Sequence, residues 1–509
     1  MRDILIGHRG EPESWPENSL AGYRAILEAG ARYIETDVQI TADGVEATIR
    51  PKGHIEPAVA AEEVPKMVEA MAKGGMIGFF GAAGLTLEAV EGAIDRLQAI
   101  TPGIPFGFNL IHSPNDMALE RAVVDLYLRR GVSKVSASAY LDLTLPLVYY
   151  RVKGIHTDEN GTVVCPNKVI AKVSRMEVAR RFLAPAPDKY LVALVDQGLI
   201  SDSEAALAKQ VPMADAISAE ADSGGHTDNR PALALLPTFL AQRDESMDRH
   251  GFTRSIPVGL GGGIATPDAA AAAFAMGAAY VLTGSVNQAC VEAGTCEAVR
   301  KMLAEAQQAD VIMAPAADMF EMGVKVQVLK RGTMFAMRAA KLYELYNAHP
   351  SFDALPPADR KFVEGQLLKT SFNAAWDQTV AFFRERNPTQ IDRARQDPKH
   401  KMALVFRSYL GQTSRWAVSG VADRQIDYQI WCGPAMGAFN AWTRGSFLSE
   451  PQNRDIVTVA FNLLFGAAVL IRSQQLRYQG AHLSAQLGRI RPLRMSAIGA
   501  YCQDLPRWP

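Results

Sequence analysis

The stretch Gly259-Leu-Gly-Gly-Gly-Ile-Ala-Thr-Pro267 decides how the middle of this chain is interpreted. Its adjacent glycines let the backbone pass close to an anion and direct N–H groups at it. Thr266 is a favoured helix N-cap and Pro267 a favoured first helical residue, so a helix is predicted to begin here with its positive end towards the same spot. The apolar run Ile256–Leu260 is typical of a buried strand. Together these features predict a phosphate site, and a tight turn without a ligand is the alternative.

Short apolar runs alternate with amphipathic stretches from residue 45 to residue 285. The runs predicted as strands are Val45–Ile49, Met76–Phe80, Phe106–Leu110, Lys134–Ser136, Val169–Val173, Ala216–Glu220, Ile256–Leu260 and Tyr280–Thr283. The predicted helices between them include Leu87–Leu97, Met117–Tyr127, Met176–Phe182 and Ala232–Leu240. This repetition predicts an α/β protein with a (β/α)₈ TIM barrel, because an open doubly wound sheet usually has about five or six strands.

The two ends of the chain complicate this assignment. The first 44 residues add the apolar runs Ile4–Ile6 and Tyr33–Val38, which makes too many strands for one barrel. Because Thr41-Ala-Asp-Gly44 is a turn signal, Val45–Ile49 is either the first barrel strand or a hairpin arm. After residue 335 helical periodicity dominates. We therefore predict an amino-terminal fragment (1–44), a barrel (45–335) and a helical C-terminal region (336–509).

The composition excludes several functional classes. The 53 basic and 54 acidic side chains leave a net charge of −1, which argues against binding to nucleic acid. Five irregularly spaced cysteines predict neither a disulfide framework nor a cysteine zinc site, and we expect no metal in the barrel. The start of the chain lacks the pattern of a signal peptide. The apolar stretch Ile456–Ile471 is shorter than a membrane span, so we expect a cytoplasmic protein with no membrane contact.

A second polar cluster follows the predicted sixth strand, in Glu220-Ala-Asp-Ser-Gly-Gly-His-Thr-Asp-Asn-Arg230. Barrel active sites lie at the carboxyl ends of the strands. His226 could transfer a proton near neutral pH from this position. The alternative is a loop histidine that is hydrogen-bonded to Asp222 or Asp228. Lys172, at the end of the fifth strand, either faces an anionic ring or pairs with a neighbouring acid.

Eight motifs are spread along the chain: Gly78–Leu85, Phe108–Pro114, Val169–Ser174, Glu220–His226, Gly261–Gly263, Thr283–Gln288, Ala314–Gly323 and Asp427–Met436. They resemble the PfaD family, the FMN-dependent enoyl reductases of polyunsaturated fatty acid synthases and trans-acyltransferase polyketide synthases. This family is related to the nitronate monooxygenases. The resemblance extends from about residue 66 to about residue 480. It implies a nitronate monooxygenase-like FMN barrel with an added helical C-terminal region.

The same resemblance implies a cofactor and a reaction. The residues that would bind FMN are Asn109, Lys172, Gly224, Gly225, Gly261, Gly262, Gly263, Gly284 and Ser285. His226 would be the catalytic residue beside the flavin ring. NADPH would reduce the flavin, and an enoyl thioester would receive hydride at its β-carbon and a proton at its α-carbon. The implied partners are an acyl carrier protein and a synthase megacomplex, and a homodimer is left open.

The amino terminus resembles the opening of a glycerophosphodiester phosphodiesterase up to about residue 46. The motifs are His8-Arg-Gly10, Pro16-Glu-Asn-Ser-Leu20, Gly30-Ala-Arg-Tyr-Ile-Glu-Thr-Asp37 and Thr41-Ala-Asp-Gly44. The resemblance implies that His8 acts in catalysis, Arg9 holds phosphate, and Glu35 and Asp37 bind a divalent metal. The second catalytic histidine of that family should follow Gly44 in a His-Asp pair. Here His54 arrives without the aspartate.

Three alternatives to a reductase stay open. The chain could be an active phosphodiesterase or a nitronate-type oxidase that uses FMN and oxygen. It could also be a flavin-binding scaffold without turnover, because Arg50–Glu56 stands where the reductase family has a small stretch of glycine and methionine against the flavin.

We expect no phosphodiesterase activity, because the amino-terminal motif lacks its second histidine and one lost catalytic group often costs several powers of ten in rate. The assay is metal-dependent release of glycerol 3-phosphate from glycerophosphocholine, by the wild type and by Glu35→Ala. Substantial turnover that Glu35→Ala abolishes would make this a bifunctional enzyme.

Overall fold

The computed structural model describes residues 34–38, 65–82, 85–100, 106–112, 117–484 and 489–503. Eight parallel strands close into a barrel in these residues, which confirms the predicted TIM-barrel fold. The strands are β1 Ile34–Val38, β2 Ile77–Phe80, β3 Gly107–Ile111, β4 Lys134–Ser138, β5 Lys168–Val173, β6 Ala216–Glu220, β7 Val258–Gly261 and β8 Val281–Thr283.

Strands β2 to β8 coincide within two residues with seven of the predicted apolar runs. Every residue of β2 and of β7 is buried, because the barrel interior covers one face and helices cover the other. A parallel strand of this kind has no solvent face and therefore appears in sequence as a continuous apolar run.

The first barrel strand is not where the barrel was predicted to begin. Strand β1 pairs Ile34 with Val281 of β8 and Val38 with Phe80 of β2, so it joins the two ends of the sheet. It lies within the fragment 1–44, and a barrel boundary at residue 45 is therefore too late. Val45–Ile49, whose role the sequence left open, lies outside the described residues. The division at residue 335 stays a prediction.

Helices cover the barrel and continue beyond it. Among the described residues the α-helices are α1 Pro65–Lys73, α2 Leu87–Ile100, α3 Met117–Arg129, α4 Leu145–Val152, α5 Met176–Phe182, α6 Asp188–Asp196, α7 Asp202–Ala208, α8 Ala232–His250, α9 Pro267–Ala275, α10 Glu297–Ala304, α11 Phe335–Ala348, α12 Pro357–Phe362, α13 Phe372–Arg386, α14 Pro388–Gln396, α15 Pro398–Ser419, α16 Ala435–Thr443, α17 Ile456–Tyr478 and α18 Met495–Gln503. The predicted helical C-terminal region is confirmed by α11 to α18.

A small antiparallel sheet links the barrel to the helical region. It contains β9, Val311–Pro315, and β10, Lys325–Leu329, and β10 also pairs with the two-residue strand Gly225–His226. Trp431 forms an isolated bridge with Val328 on β10. The sheet therefore brings together the loop after β6 and a segment some two hundred residues later in the chain.

The helical region has its own apolar core. Phe320, Phe335, Leu342 and Phe406 are among its buried residues, and the rings of Phe352 and Phe372 stack 3.9 Å apart. This core is separate from the main cluster around the barrel. The region therefore contributes apolar burial of its own in addition to covering the barrel.

Helix α17 is longer than the apolar stretch that predicted it. With 23 residues it is, within the described part of the chain, the one helix long and apolar enough to cross a membrane. Nearly half of its most apolar window is buried. Gly466 lets it pack closely on α9, because a Cβ at Gly466 would lie 2.6 Å from Cγ of Pro267.

A carboxyl pair lies at the amino end of α17. Asp455 caps the helix by accepting a hydrogen bond from the Thr458 amide at 2.8 Å. The Ile456 amide donates to Glu292 at 3.1 Å. Burial, followed by a hydrogen bond to Asp455, raises the pKa of Glu292 to about 8. Glu292 is therefore protonated in the folded protein at neutral pH.

Glu292→Gln should remove a loss of stability at alkaline pH. Because the folded protein holds this proton more tightly than the unfolded chain, the contribution is complete below about pH 4.5 and is lost as the pH rises through about 8. Glutamine mimics the protonated carboxyl, so the variant should keep its Tm between pH 6 and 9 while that of the wild type falls, by roughly 1 °C for each kcal/mol lost. The exposed Glu305→Gln is the control. Equal slopes of Tm against pH in wild type and Glu292→Gln would contradict this assignment.

Candidate functional site

The glycine loop after β7, residues 261–263, packs very closely against the backbone that follows β6. Gly262 has φ +86° and Gly263 has φ +79°, in the left-handed region that favours glycine. A Cβ at Gly262 would lie 2.6 Å from the carbonyl carbon of Ala221, whereas a Cβ at Gly263 would meet no atom of the described residues within 4 Å. The loop therefore lies against the end of β6 on one side and is open on the other.

Helix α9 begins directly after this loop, as predicted. Thr266 accepts a hydrogen bond from the Ala269 amide at 3.2 Å, and Pro267 is the first helical residue. The loop after β8 lies beside it, and in the part of the chain that the structure describes no atom lies within 4 Å of a Cβ built at Gly284. Amides of two loops and the positive end of a helix therefore surround one open place, which suits a phosphate.

These loops form one wall of an open cleft. Its lining residues are Lys172, Glu220, Ser223, Gly224, Gly261, Gly262, Gly263, Ile264, Leu282, Gly284, Ser285, Gln288, Trp431 and Ala435. Seven of the residues predicted from sequence thus come together here. Glu220, Ser223, Gln288, Trp431 and Ala435 were not predicted as site residues.

Lys172 pairs with a neighbouring acid, which is one of the two possibilities that the sequence left open. Its ammonium group lies 3.4 Å from a carboxylate oxygen of Glu220, and the Lys172 side chain is only 7% exposed. Ser223 donates a hydrogen bond to the same oxygen of Glu220 at 3.2 Å. Because Lys172 also lines the cleft, it places a positive charge there that Glu220 holds in position.

Asn109 does not line the cleft but lies in the barrel interior. It is 2% exposed, and neither its amide nitrogen nor its amide oxygen has a hydrogen-bond partner within the described residues. Ser136, which is opposite Asn109 in the register of β3 and β4, and Ser138 also have buried hydroxyls without a partner there. Buried polar groups are normally satisfied, so this set of side chains suits a polar ligand or ordered water.

His226 stands on the strand that pairs with β10, opposite Val326. Its Nε2 lies 3.2 Å from Oδ1 of Asp318, and its ring meets the Trp431 ring edge-on with centroids 5.4 Å apart. About a third of the side chain is exposed. A half-buried imidazole with a carboxylate on one nitrogen is suited to exchange protons at the other side of the ring.

Gly224 and Gly225, predicted to bind FMN, pack closely against another segment of the protein. A Cβ at Gly224 would lie 2.9 Å from the backbone nitrogen of Cys432, and one at Gly225 would lie 2.2 Å from the Trp431 ring. Burial raises the pKa of the Cys432 thiol to about 12, so this cysteine stays protonated. Because neither glycine has a side chain, residues 431–432 can pack directly against them beside the cleft.

The carboxylate that the structure places at Nε2 of His226 is that of Asp318, whereas the alternative from sequence named Asp222 or Asp228. Asp228 accepts two hydrogen bonds from Arg175, at 2.9 and 3.0 Å, and these hold the pKa of its carboxyl below the usual value. Asp222 accepts from Asn229 and from Gln327, each at 2.8 Å. Both aspartates fix the loop that carries His226.

The wall opposite the glycine loops comes from the C-terminal part of the chain. The Gly433 amide donates to the Ser285 hydroxyl at 3.0 Å, and the Gln288 side chain donates to the Trp431 carbonyl at 2.9 Å. Sequence reasoning noticed the motif Asp427–Met436 only as part of a family resemblance. No periodicity or charge pattern in it indicates a position beside β8.

Within the described residues, no group of three or more histidine, cysteine, aspartate or glutamate side chains could hold a metal ion. His8, Arg9 and His54 of the amino-terminal motif lie outside that part of the chain, as does Arg50–Glu56. The metal-binding role predicted for Glu35 and Asp37 stays a prediction.

Comparison with known proteins decides the family. The nitronate monooxygenase family matches residues 55–349, more than half of the chain. The chain belongs to the nitronate monooxygenase family. The inserted helical domain of [acyl-carrier-protein] S-malonyltransferase matches residues 349–428 of this family member, and the glycerophosphoryl diester phosphodiesterase family matches residues 8–47.

The relatives of this nitronate monooxygenase family member include synthase components, which confirms the resemblance to PfaD-type reductases. A polyunsaturated fatty acid synthase subunit of Thraustochytrium sp. is 47% identical over 418 residues, which are 81% of this chain and 28% of that protein. Polyketide biosynthesis protein PksE of Bacillus subtilis is 44% identical over 419 residues, 82% of this chain and 54% of that protein. The chain thus spans about a fifth to a half of the curated relatives that it matches across its length.

A solved structure of the same kind supports the whole architecture. The enoyl reductase domain of MlnA, from the macrolactin biosynthesis cluster of Bacillus amyloliquefaciens, superposes with a TM-score of 0.79 at 33% sequence identity. The match covers 87% of this family member and 95% of that domain. Barrel and helical region therefore occur together in both proteins.

Proposed function

We propose that this chain is an FMN-dependent enoyl reductase that uses NADPH to reduce the 2,3 double bond of an enoyl thioester on an acyl carrier protein. The observation that carries the proposal is the open cradle of Gly263, Gly284 and the first turn of α9, which shares one cleft with Lys172. The match to an enoyl reductase domain over nearly its full length supports the reaction class.

The chain's residues fit FMN at three points. The cradle would hold the phosphate through backbone amides and the positive helix end. Lys172 would place its ammonium group against the electron-rich edge of the flavin, and Asn109 offers buried amide atoms that have no partner in the described protein. When bound, FMN would supply hydride transfer from NADPH to the β-carbon, chemistry that belongs to the cofactor.

His226 would supply the proton that the α-carbon requires. About a third of its side chain is exposed, and its ring contacts Asp318 and Trp431, although His226 is not among the residues that line the cleft. Imidazole titrates near neutral pH and can therefore donate and recover a proton in each turnover. Trp431 limits the ring's rotation, and the Asp228–Arg175 pair fixes the loop that carries it.

The proposed setting is a cytoplasmic synthase assembly. The curated relatives that match across most of this chain are named as fatty acid synthase subunits or polyketide biosynthesis proteins, and this chain resembles only a part of each. An acyl carrier protein is the partner that would present the thioester. A homodimer and the absence of nucleic-acid and membrane partners remain predictions from sequence.

A nitronate monooxygenase-type oxidase is the second candidate, because the family model that covers the barrel has that description. Oxidation of NADPH that depends on a crotonyl thioester supports the reductase. Oxygen consumption with a nitronate, without such oxidation, supports the oxidase. Flavin binding without either reaction supports a scaffold.

The purified protein should be yellow and should release FMN on denaturation, and Gly284→Asp should be colourless while still folded. An aspartate there adds a negative charge where the phosphate should lie, and its Cβ meets no protein atom. Gly262→Asp is a poorer test, because its Cβ would collide with Ala221 even without a cofactor.

The control is Gly284→Ala, which adds a Cβ without charge. Absorbance near the flavin bands and the Tm are measured for all three proteins. A folded Gly284→Asp protein with full FMN occupancy would remove the phosphate assignment.

His226→Ala should keep FMN and slow enoyl reduction by roughly 10²-fold, the usual effect of losing an acid–base group. Reduction of the flavin by NADPH should change less, because it does not protonate the substrate carbon. Stopped-flow absorbance measures the two half-reactions separately. An equal loss in both would make His226 a positioning residue instead.

A further inference from the structure

One loop between the two strands of the small sheet reaches both the helical region and His226. We call residues 316–323 the Asp318 loop. Its ends are joined by a hydrogen bond from the Ala316 amide to the Val324 carbonyl at 2.9 Å. Gly323 has φ +71°, and a Cβ there would lie 2.4 Å from the Tyr343 hydroxyl. The loop is therefore a closed turn pressed against α11.

Phe320 anchors this loop in the core of the helical region. The side chain is fully buried. Its ring lies 5.4 Å from Tyr343 and 5.3 Å from Tyr346 on α11, and 6.4 Å from Phe406 on α15. Aromatic contacts of this kind fix the position of a ring as well as burying its area.

Arg407 on α15 holds the same loop through three groups. Its guanidinium donates to the Ala317 carbonyl at 2.9 Å and to the Asp318 carbonyl at 3.1 Å. It also lies 3.4 Å from a carboxylate oxygen of Glu321. Only 12% of the Arg407 side chain is exposed. Lysine could not make these contacts together, because it lacks the planar array of donors.

These contacts of the Asp318 loop fix the position from which the Asp318 side chain extends. The Asp318 carboxylate contacts His226, with 3.2 Å between Oδ1 of Asp318 and Nε2 of His226. A carboxylate that holds one ring nitrogen fixes the tautomer and the orientation of an imidazole and favours its protonated form.

We infer that Asp318 is a positioning residue for His226 and that the helical region, through Arg407 and Phe320, holds it in place. The inference rests on the proposed function for its role in turnover, but the Asp318–His226 pairing is testable without it. The helical region would then complete the reaction site and would not serve only as a cover for the barrel.

Other charged groups lie on the segments around this pair. Asp222 accepts a hydrogen bond from Gln327, Asp228 accepts one from Arg175, and Glu321 lies beside Arg407. His400 on α15 lies 3.9 Å from Glu321, and burial lowers the pKa of its imidazole. Charged residues on the adjoining segments also include Arg175, Arg230 and Lys325, with Arg338, Lys341 and Glu344 on α11 and Lys399 and Lys401 on α15.

The test is the NMR titration of His226 in the FMN-loaded full chain, with labelled histidine and His226→Ala for assignment. Asp318→Asn keeps the shape of the side chain and removes its charge. It should lower the pH of half-protonation of His226 by about one unit, because an anion near the ring favours imidazolium. Arg407→Met should shift it in the same direction by less.

Arg395→Met is the matched control, because Arg395 lies in the same helical region but forms an exposed pair with Asp392. It should leave the titration unchanged. If Asp318→Asn does not fold, Arg407→Met decides the question alone. An unchanged titration of His226 in the folded Asp318→Asn protein overturns the inference. An unchanged titration in Arg407→Met overturns the part of it that assigns the helical region a role in holding Asp318.

The pH profile of turnover supplies the second readout. In Asp318→Asn, the pH at which kcat for enoyl reduction falls on the alkaline side should be lower by the same amount. The pH profile of flavin reduction by NADPH should not change. A lower kcat with no shift of the limb would mean a purely structural role and overturns the inference. Absence of enoyl reduction in the wild type would overturn the proposed function, while the NMR titration would still decide the role of Asp318.

Discussion

The site depends on backbone segments that approach one another more closely than any side chain would permit. A Cβ at Gly262 would collide with the backbone at the end of β6, and a Cβ at Gly225 would collide with Trp431. These two contacts set the distance between the glycine loop, the His226 loop and the C-terminal segment. The cleft, the open amides around it and the direction of α9 all follow from that spacing.

The helical region takes part in the site through two connections that are distant in sequence. The 431–433 segment, which follows the inserted helices, is bonded to Ser285 and Gln288 at the end of β8. The Asp318 loop enters the core of the same region through Phe320. An inserted domain that is tied to a barrel mouth at two points restricts how the loops there can move, and catalytic groups need that restriction.

The amino-terminal fragment contributes one strand to the barrel. Strand β1 comes from the part of the chain that matches a phosphodiesterase family, yet it pairs with β2 and β8 of the nitronate monooxygenase barrel. A parallel barrel strand needs apolar character and register more than a particular family sequence, because the barrel satisfies its backbone groups through the neighbouring strands. The strand can therefore close the sheet although its motif belongs to another enzyme class.

The sequence by itself determined the barrel strands β2 to β8, the helix that begins after Thr266 and the glycine loop before it, because each depends on local periodicity, capping or glycine geometry. It also singled out His226 and Lys172 from their places at strand ends. Only the tertiary structure decided that β1 is Ile34–Val38, that Asp318 is the partner of His226, and that Trp431 walls the cleft. These facts depend on pairings between residues far apart in the chain, and such pairings are selected by the packing of the whole molecule and leave no periodic signal in either segment alone.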